Sequence, residues 1–305
     1  MTIPIIGFDE GEALLDWVSF AEALAASHNL PKAEIGDTFL YRGSDTLLSR
    51  SAWIDGMGLA VKTANVFPGN PDAGKPMING SVCLYSDTDG TLEALVDFHL
   101  VTKWKTAGDS LLGALRLANP QAQEVLIVGA GTVGGSLIEA FGAGFPQAQI
   151  RVWNRTGSKA QDLCAQYPGT LHAPDLEPAV RAADIIVTCT MSSDPVIKGE
   201  WLRPGQHLNL IGAYRPDMRE ADDEALKRAQ IFCDSFDTTL DHIGEFKTPL
   251  AAGTIRRSDV LADFYSLSRF PAYDPDQITL FKNGGGAHLD LMTSHHILKK
   301  WKARA

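Results

Sequence analysis

EVLIVGAGTVGGSLIEAFGAG, residues 124–144, decides the fold. Val125, Leu126, Ile127 and Val128 form an apolar run with no polar interruption, which reads as a strand buried on both faces. It enters Gly129-Ala130-Gly131-Thr132-Val133-Gly134, a G-x-G-x-x-G turn, and helical spacing follows. Strand, glycine turn and helix together seat the pyrophosphate of a dinucleotide. Gly129 permits the tight turn, Gly131 lets a phosphate approach the backbone, and Gly134 lets the helix pack against the strand. The helix opens at Thr132 and Val133, and its N-terminus offers N–H donors and a partial positive charge.

Downstream, strands and helices alternate. QIRVWN (149–154), DIIVTCT (184–190), HLNLIGA (207–213) and IFCD (231–234) read as strands, with helical segments between them. This alternation predicts a doubly wound parallel sheet of the Rossmann type. The second strand chooses the cofactor. An acidic residue at its end would accept from a ribose 2′-OH and repel a 2′-phosphate. Here Asn154 is neutral, and Arg155, Thr156 and Lys159 follow with donors suited to a phosphate dianion. The expectation is NADP(H) in preference to NAD(H). Thr188 and Thr190 end a parallel strand on the side where ligands bind such sheets, and one of them is expected to touch the cofactor.

Upstream the pattern differs. Asp9 and Glu12 read as a capping box before a helix over about 11–26. DTFLY, TLLS, GLAVKTA, SVCLYS and TLEALVD read as strands, with a hairpin turn at SDTDG, and 98–118 reads as a helix. Thr238–Phe270 looks helical, QITLF is a short strand, and AHLDLMTSHHILKKWKA is a closing helix. The expected organisation is a Rossmann domain over 119–276 and a discontinuous α+β substrate and dimerisation domain over 1–118 and 277–305.

The 305 residues are 45% hydrophobic and 21% charged, a composition that folds. Lys and Arg number 27 against 37 Asp and Glu, a net charge of −10, which disfavours nucleic acid as a partner. No apolar stretch is long enough to span a membrane, and the N-terminus does not read as a secretory signal. Cys83, Cys164, Cys189 and Cys233 match no metal or redox spacing, so reduced thiols in a cytoplasmic protein are expected. His288, His295 and His296 share the closing helix, but no acidic or cysteine partner has ligand spacing, and no metal is expected.

Several stretches resemble the ornithine cyclodeaminase/mu-crystallin family: GLAVKTANVFPGN, KTAGDSLLGA, VLIVGAGTVG, RVWNRT, DPVIKGEWLRPGQHLNLIGAYRPDMREADDEAL and ITLFKNGGGAHLD, in family order from 58 to 290. The resemblance implies a dimeric two-domain subunit that acts on imines of 2-oxo acids, oxidises alanine, or converts ornithine to proline. Lys62 falls on the family's substrate-contacting lysine. Lys105 stands where most members carry an arginine that grips the substrate carboxylate. A further family arginine early in the first β segment has no counterpart in IGDTF; Arg42 and Arg50 are nearby, and Arg50 is preferred. Tyr214 replaces the aspartate that cyclodeaminases use to activate water, and GAYRPDMRE resembles the mu-crystallin side. Asp109 and Tyr214 are candidates to hydrogen-bond the imine nitrogen. Gly284, Gly285 and Gly286 offer close backbone approach to the nicotinamide, with Gly285 at their centre, and Asp290 aligns with a family aspartate. The expected function is NADP(H)-dependent reduction of a small 2-imino acid or cyclic ketimine carboxylate. Ornithine cyclodeaminase, amino-acid dehydrogenase and a non-catalytic NADP(H)-dependent binding protein are the alternatives.

Overall fold

The computed structural model describes residues 3–304. The chain divides into two compact units, one of Met1–Lys105 with Gly286–Ala305 and one of Thr106–Gly285.

The first unit is built on a six-stranded sheet. Its strands are β1 (Ile5–Ile6), β2 (Glu34–Arg42), β3 (Asp45–Ile54), β4 (Gly58–Val66), β5 (Ile78–Tyr85) and β6 (Leu92–Asp97), in the order β1-β6-β5-β4-β3-β2. β2 to β6 run antiparallel as a meander, and β1 joins β6 in parallel. Burial alternates along β4: Ala60, Lys62 and Ala64 face inward. The period of two therefore places a lysine on the buried face. The expected helix over 11–26 is instead two helices, α1 (Phe8–Glu12) and α2 (Trp17–Ser27). Asp9 lies inside α1; the N-cap is Asp16, which accepts from the Ser19 N–H at 2.8 Å and starts α2 afresh. α3 (Phe98–Leu117) follows β6.

The second unit carries an eight-stranded parallel sheet. In chain order it comprises β7 (Glu124–Val128), α4 (Thr132–Gly144), β8 (Gln149–Trp153), α5 (Gly157–Gln166), β9 (Leu171–His172), α6 (Leu176–Ala182), β10 (Ile185–Thr188), β11 (His207–Leu210), α7 (Asp223–Arg228), β12 (Ala229–Cys233), α8 (Phe236–Thr239), α9 (Gly244–Ala251), β13 (Val260–Ala262) and β14 (Ile278–Lys282). The strand order is β13-β12-β14-β11-β10-β7-β8-β9. From β7 the chain runs out through β8 and β9 on one side and then through β10 and β11 on the other, which is the doubly wound α/β architecture. Leu126, Val128, Ile186, Leu208, Leu210, Ile231 and Leu280 form the core of one face. After β14 the chain returns to the first unit as α10 (Ala287–Ala303).

Two boundaries move. The first falls at 105/106, inside α3, and not at 118/119. The later turns of α3 pack on the parallel sheet: Asn209 donates to the Ser110 carbonyl, and a side chain at Gly113 would sit 2.7 Å from the Phe281 ring. The second falls at 285/286 and not at 276/277, because β14 inserts between β11 and β12. Val260–Ala262, within a stretch expected to be helical, is an edge strand paired with β12. No described helix is long and apolar enough to cross a membrane.

Candidate active site

The three glycines of the turn each meet the demand made of them. Gly129 has φ +126°, and a side chain there would strike the Cys189 sulfur at 2.8 Å. A side chain at Gly134 would strike the Gly129 carbonyl at 2.6 Å, so helix and strand are as close as glycine allows. Around Gly131 a side chain would meet nothing within 4 Å, which leaves a backbone-lined opening. Gly131 is also the N-cap of α4 and gives it no side-chain cap, so the N–H groups of Thr132 and Val133 face that opening without a competing acceptor from the cap. These residues fit a dinucleotide pyrophosphate.

Asn154 fixes the mouth of the turn. Its Oδ1 accepts from the Ala130 N–H at 3.3 Å, and its Nδ2 donates to the Thr156 carbonyl at 2.9 Å. The amide is thus occupied in joining two loops. Arg155, Thr156 and Lys159 are exposed at the start of α5.

Thr188 is wholly buried, with its hydroxyl sealed in the sheet, so Thr190 is the one of the pair nearer the surface. The Thr190 N–H and hydroxyl both bond to Glu220 Oε1, at 2.7 and 2.8 Å. Glu220 Oε2 takes the N–H groups of Gly212 and Ala213 at 2.6 and 3.3 Å. One buried carboxylate therefore joins the loops that leave β10 and β11. Glu245 in turn accepts from the N–H groups of Glu220 and Ala221. Burial pushes the Glu245 pKa up to about 7, with Lys282 pulling it down and Glu220 adding to the rise. Lys282 donates to the Leu210 and Ala213 carbonyls at 3.0 and 2.7 Å; burial lowers its pKa. Gly284 and Gly285 donate to Asp234 Oδ2 at 2.8 and 2.6 Å, and Gly285 has φ +70°. The glycine run is thus accounted for by a clamped turn. Tyr214 is 56% exposed, with Arg215 5.7 Å from its ring centroid. Asp109 is buried on the part of α3 that belongs to this unit.

In the first unit, three of the expected cations gather about one carboxylate. Lys62 Nζ donates to Asp290 Oδ1 at 2.9 Å and to the Thr102 hydroxyl at 2.8 Å, and lies 4.6 Å from the Phe98 ring centroid. Lys105 Nζ stands 3.8 Å from the same Asp290 oxygen. Arg50 is directly opposite Lys62 across β3 and β4, so the two share a face. Burial pushes the Lys62 pKa down to about 8; Asp290 opposes that, while Lys105 and Arg50 reinforce it. Burial alone would raise Asp290, but Lys105 and Lys62 hold it below the ordinary carboxylate range. Arg50 is further tied to Asp37 by 2.8–3.2 Å bonds. Burial lowers the pKa of His28 to about 4 and that of His288 well below its usual value, so both are neutral at pH 7. Arg42 pairs instead with Asp45 in the exposed turn between β2 and β3.

This arrangement has the fold of known proteins. Residues 52–305 match the model of the ornithine cyclodeaminase/mu-crystallin family. The chain belongs to that family. Within it, the chain is 46% identical over 302 residues to a Delta(1)-pyrroline-2-carboxylate reductase of Paracoccus denitrificans, covering 96% of each. It is 32% identical over 248 residues to the ketimine reductase mu-crystallin of Rattus norvegicus, covering 80% of this chain and 77% of that one. Among solved structures, an archaeal alanine dehydrogenase dimer with bound NAD superposes with a TM-score of 0.88 at 26% identity, covering 100% of this chain and 97% of that one.

The geometry of the glycine turn was readable in the sequence, and Lys62, Lys105 and Arg50, which the structure brings together, were all singled out there. Glu220, Glu245 and Asp234 were not, because a lone acid beside polar neighbours looks the same in sequence whether it is solvated or clamps backbone N–H groups. Asp37 was also passed over, since its partner lies on the next strand.

Proposed function

We propose that this member of the ornithine cyclodeaminase/mu-crystallin family reduces a cyclic imino acid of the pyrroline-2-carboxylate type to the amino acid, with NADPH. The charge count of the Arg50–Lys62–Lys105 cluster carries the reading. Arg50, Lys62 and Lys105 are three cations held against two carboxylates, Asp37 and Asp290, with both nearby histidines neutral. One positive charge is left over where water is scarce, and a substrate carboxylate balances it. The 46% identity to a pyrroline-2-carboxylate reductase supports the five-membered ring as the substrate.

Bound at the 129–134 turn, the cofactor supplies a hydride. The chain does the rest. Lys62 and Arg50 hold the carboxylate and so fix the adjacent C=N carbon in place. Lys105, long and unforked, adds charge without imposing a second planar grip. An imine bearing a carboxylate is readily protonated on nitrogen by solvent, so no strong acid is required of the chain. Tyr214 in place of an aspartate leaves no carboxylate there to activate water, which favours reduction over loss of ammonia. Arg155, Thr156 and Lys159 favour a 2′-phosphate, and Asn154 presents no charge to repel it.

A second copy of the chain fits the exposed side of the first unit's sheet. β2 is exposed along its whole length, and Phe39, Leu40, Tyr41 and Trp53 are exposed apolar residues of β2 and β3. A groove of about 450 Å³ lined by Ile35, Trp53, Leu59, Val61 and Tyr85 opens beside them. An open apolar edge of this kind is normally covered, and the archaeal alanine dehydrogenase is a dimer. The four cysteines are all free, in keeping with a reducing cytoplasm.

Initial rates with pyrroline-2-carboxylate, piperideine-2-carboxylate and ornithine, each with NADPH and with NADH, test the reading. It expects NADPH oxidation with the imino acids, slower with NADH. Ammonia release from ornithine, with no oxidation of either cofactor by the imino acids, overturns it.

A further inference from the structure

The segment IGDTF, where the family's arginine is missing, contributes Asp37. Asp37 stands directly across from Arg50, and Arg50 directly across from Lys62. Directly opposed residues on neighbouring antiparallel strands share a face. The three side chains thus form one row, Asp37–Arg50–Lys62, on the side of the sheet to which Asp290 of α10 is bonded. Asp37 takes Arg50 by a single edge. Nε donates to Oδ1 at 3.0 Å and Oδ2 at 3.2 Å, and Nη2 donates to Oδ2 at 2.8 Å. Nη1 makes no hydrogen bond among the described residues.

This pair is only partly buried, with both side chains a little over a quarter exposed. Such a pair adds little to folding stability. Its effect is on Arg50. The guanidinium also feels the attraction of Asp290. An untethered Arg50 would be drawn toward Asp290, which already accepts from Lys62 and has Lys105 beside it. The cluster would keep its surplus charge, but the guanidinium would be turned onto Asp290 and no longer presented to a ligand.

Resting on the functional reading above, we infer that Asp37 is the positioning residue for carboxylate recognition. It grips the Nε/Nη2 edge of Arg50, keeps the guanidinium from collapsing onto Asp290, and leaves the Nη1 side to meet the substrate carboxylate in a fixed plane. An aspartate on β2 directing an arginine on β3 thereby replaces an arginine carried on β2 itself.

The test compares pyrroline-2-carboxylate with 1-pyrroline, the same ring lacking the carboxylate, in the full-length enzyme. Asp37→Asn is expected to raise KM for the carboxylate substrate about tenfold, the loss of one charge-assisted contact, with kcat within about twofold. The kcat/KM for 1-pyrroline stays unchanged, and Asp37→Glu restores part of the loss. In an Arg50→Ala background, Asp37→Asn adds nothing further. Equal effects on both ring substrates, an undiminished effect in the Arg50→Ala background, or no effect at all overturns the inference. Calorimetric binding of pyrrole-2-carboxylate, a planar ring carboxylate, provides a readout independent of turnover. The Kd is expected to rise about tenfold in Asp37→Asn, and an unchanged Kd overturns the inference. A parent that binds this ligand but reduces no imine overturns the functional reading alone; a parent that does not bind it overturns both.

Discussion

Lys62 is an ammonium group held largely away from water. With its pKa pushed down to about 8 by burial, it loses its proton within reach of ordinary assay conditions. Below about pH 8 the lysine is charged and the cluster keeps its surplus positive charge; above it the surplus disappears. Binding of pyrrole-2-carboxylate, whose carboxylate does not titrate in that range, is therefore expected to weaken as pH rises through 8, approaching tenfold per pH unit. Lys62→Arg, which stays protonated, removes that fall. A Kd that is flat from pH 7 to 10 in the parent contradicts the assignment. At this scale the sequence was partly legible. Lys62 was singled out by its match to the family's substrate-contacting lysine, and alternation along β4 turns it inward. Asp290 aligned with a family aspartate but its partner could not be named, and Asp37 gave no signal, since their partners lie 228 and 13 residues away.

The loops that leave β10 and β11 owe their rigidity to buried acids. Glu245, at the start of α9, holds the backbone of Glu220, and Glu220 holds the loops after β10 and β11. The Glu245 pKa, raised by burial to about 7, lies above its unfolded value. The folded state therefore binds the proton more tightly, and this group's stabilisation is complete below the unfolded pKa and lost as pH rises through about 7. Glu245→Gln cannot titrate. The stability of the parent relative to that variant is expected to fall between pH 4.5 and 7, by up to about 1.4 kcal/mol per pH unit. Chemical denaturation at several pH values measures it, and a constant difference contradicts it. The elements themselves were well foreshadowed where they were long or punctuated. β7 and α4 announced themselves by an apolar run and three glycines. β13 and the break between α1 and α2 did not, because a three-residue strand has no period to read, and the cap at Asp16 competed with an apparent box at Asp9. QITLF was legible as a strand, but its place between β11 and β12 is set by non-local pairing.

For the whole molecule, the exposed β2 edge predicts association. Leu40 and Tyr41 are 63% and 72% exposed. Replacing both with aspartate places charge on that edge, and light scattering is expected to shift from twice the 32.9 kDa chain mass to the chain mass itself. A parent that is already monomeric contradicts the prediction. The two-unit organisation was visible from the switch between antiparallel-type and alternating patterns, although the shared helix α3 and the inserted strand β14 moved its boundaries. In the proposed reaction a hydride is delivered to a ring whose carboxylate is held by Arg50 and Lys62, with Lys105 adding charge. The most direct measurement uses NADPH deuterated at the transferable C4 position, with pyrroline-2-carboxylate as substrate, and follows the product by mass spectrometry and NMR. The prediction is proline carrying one deuterium at Cα for each cofactor oxidised. Proline without deuterium, or cofactor left unoxidised while ornithine releases ammonia, would contradict it.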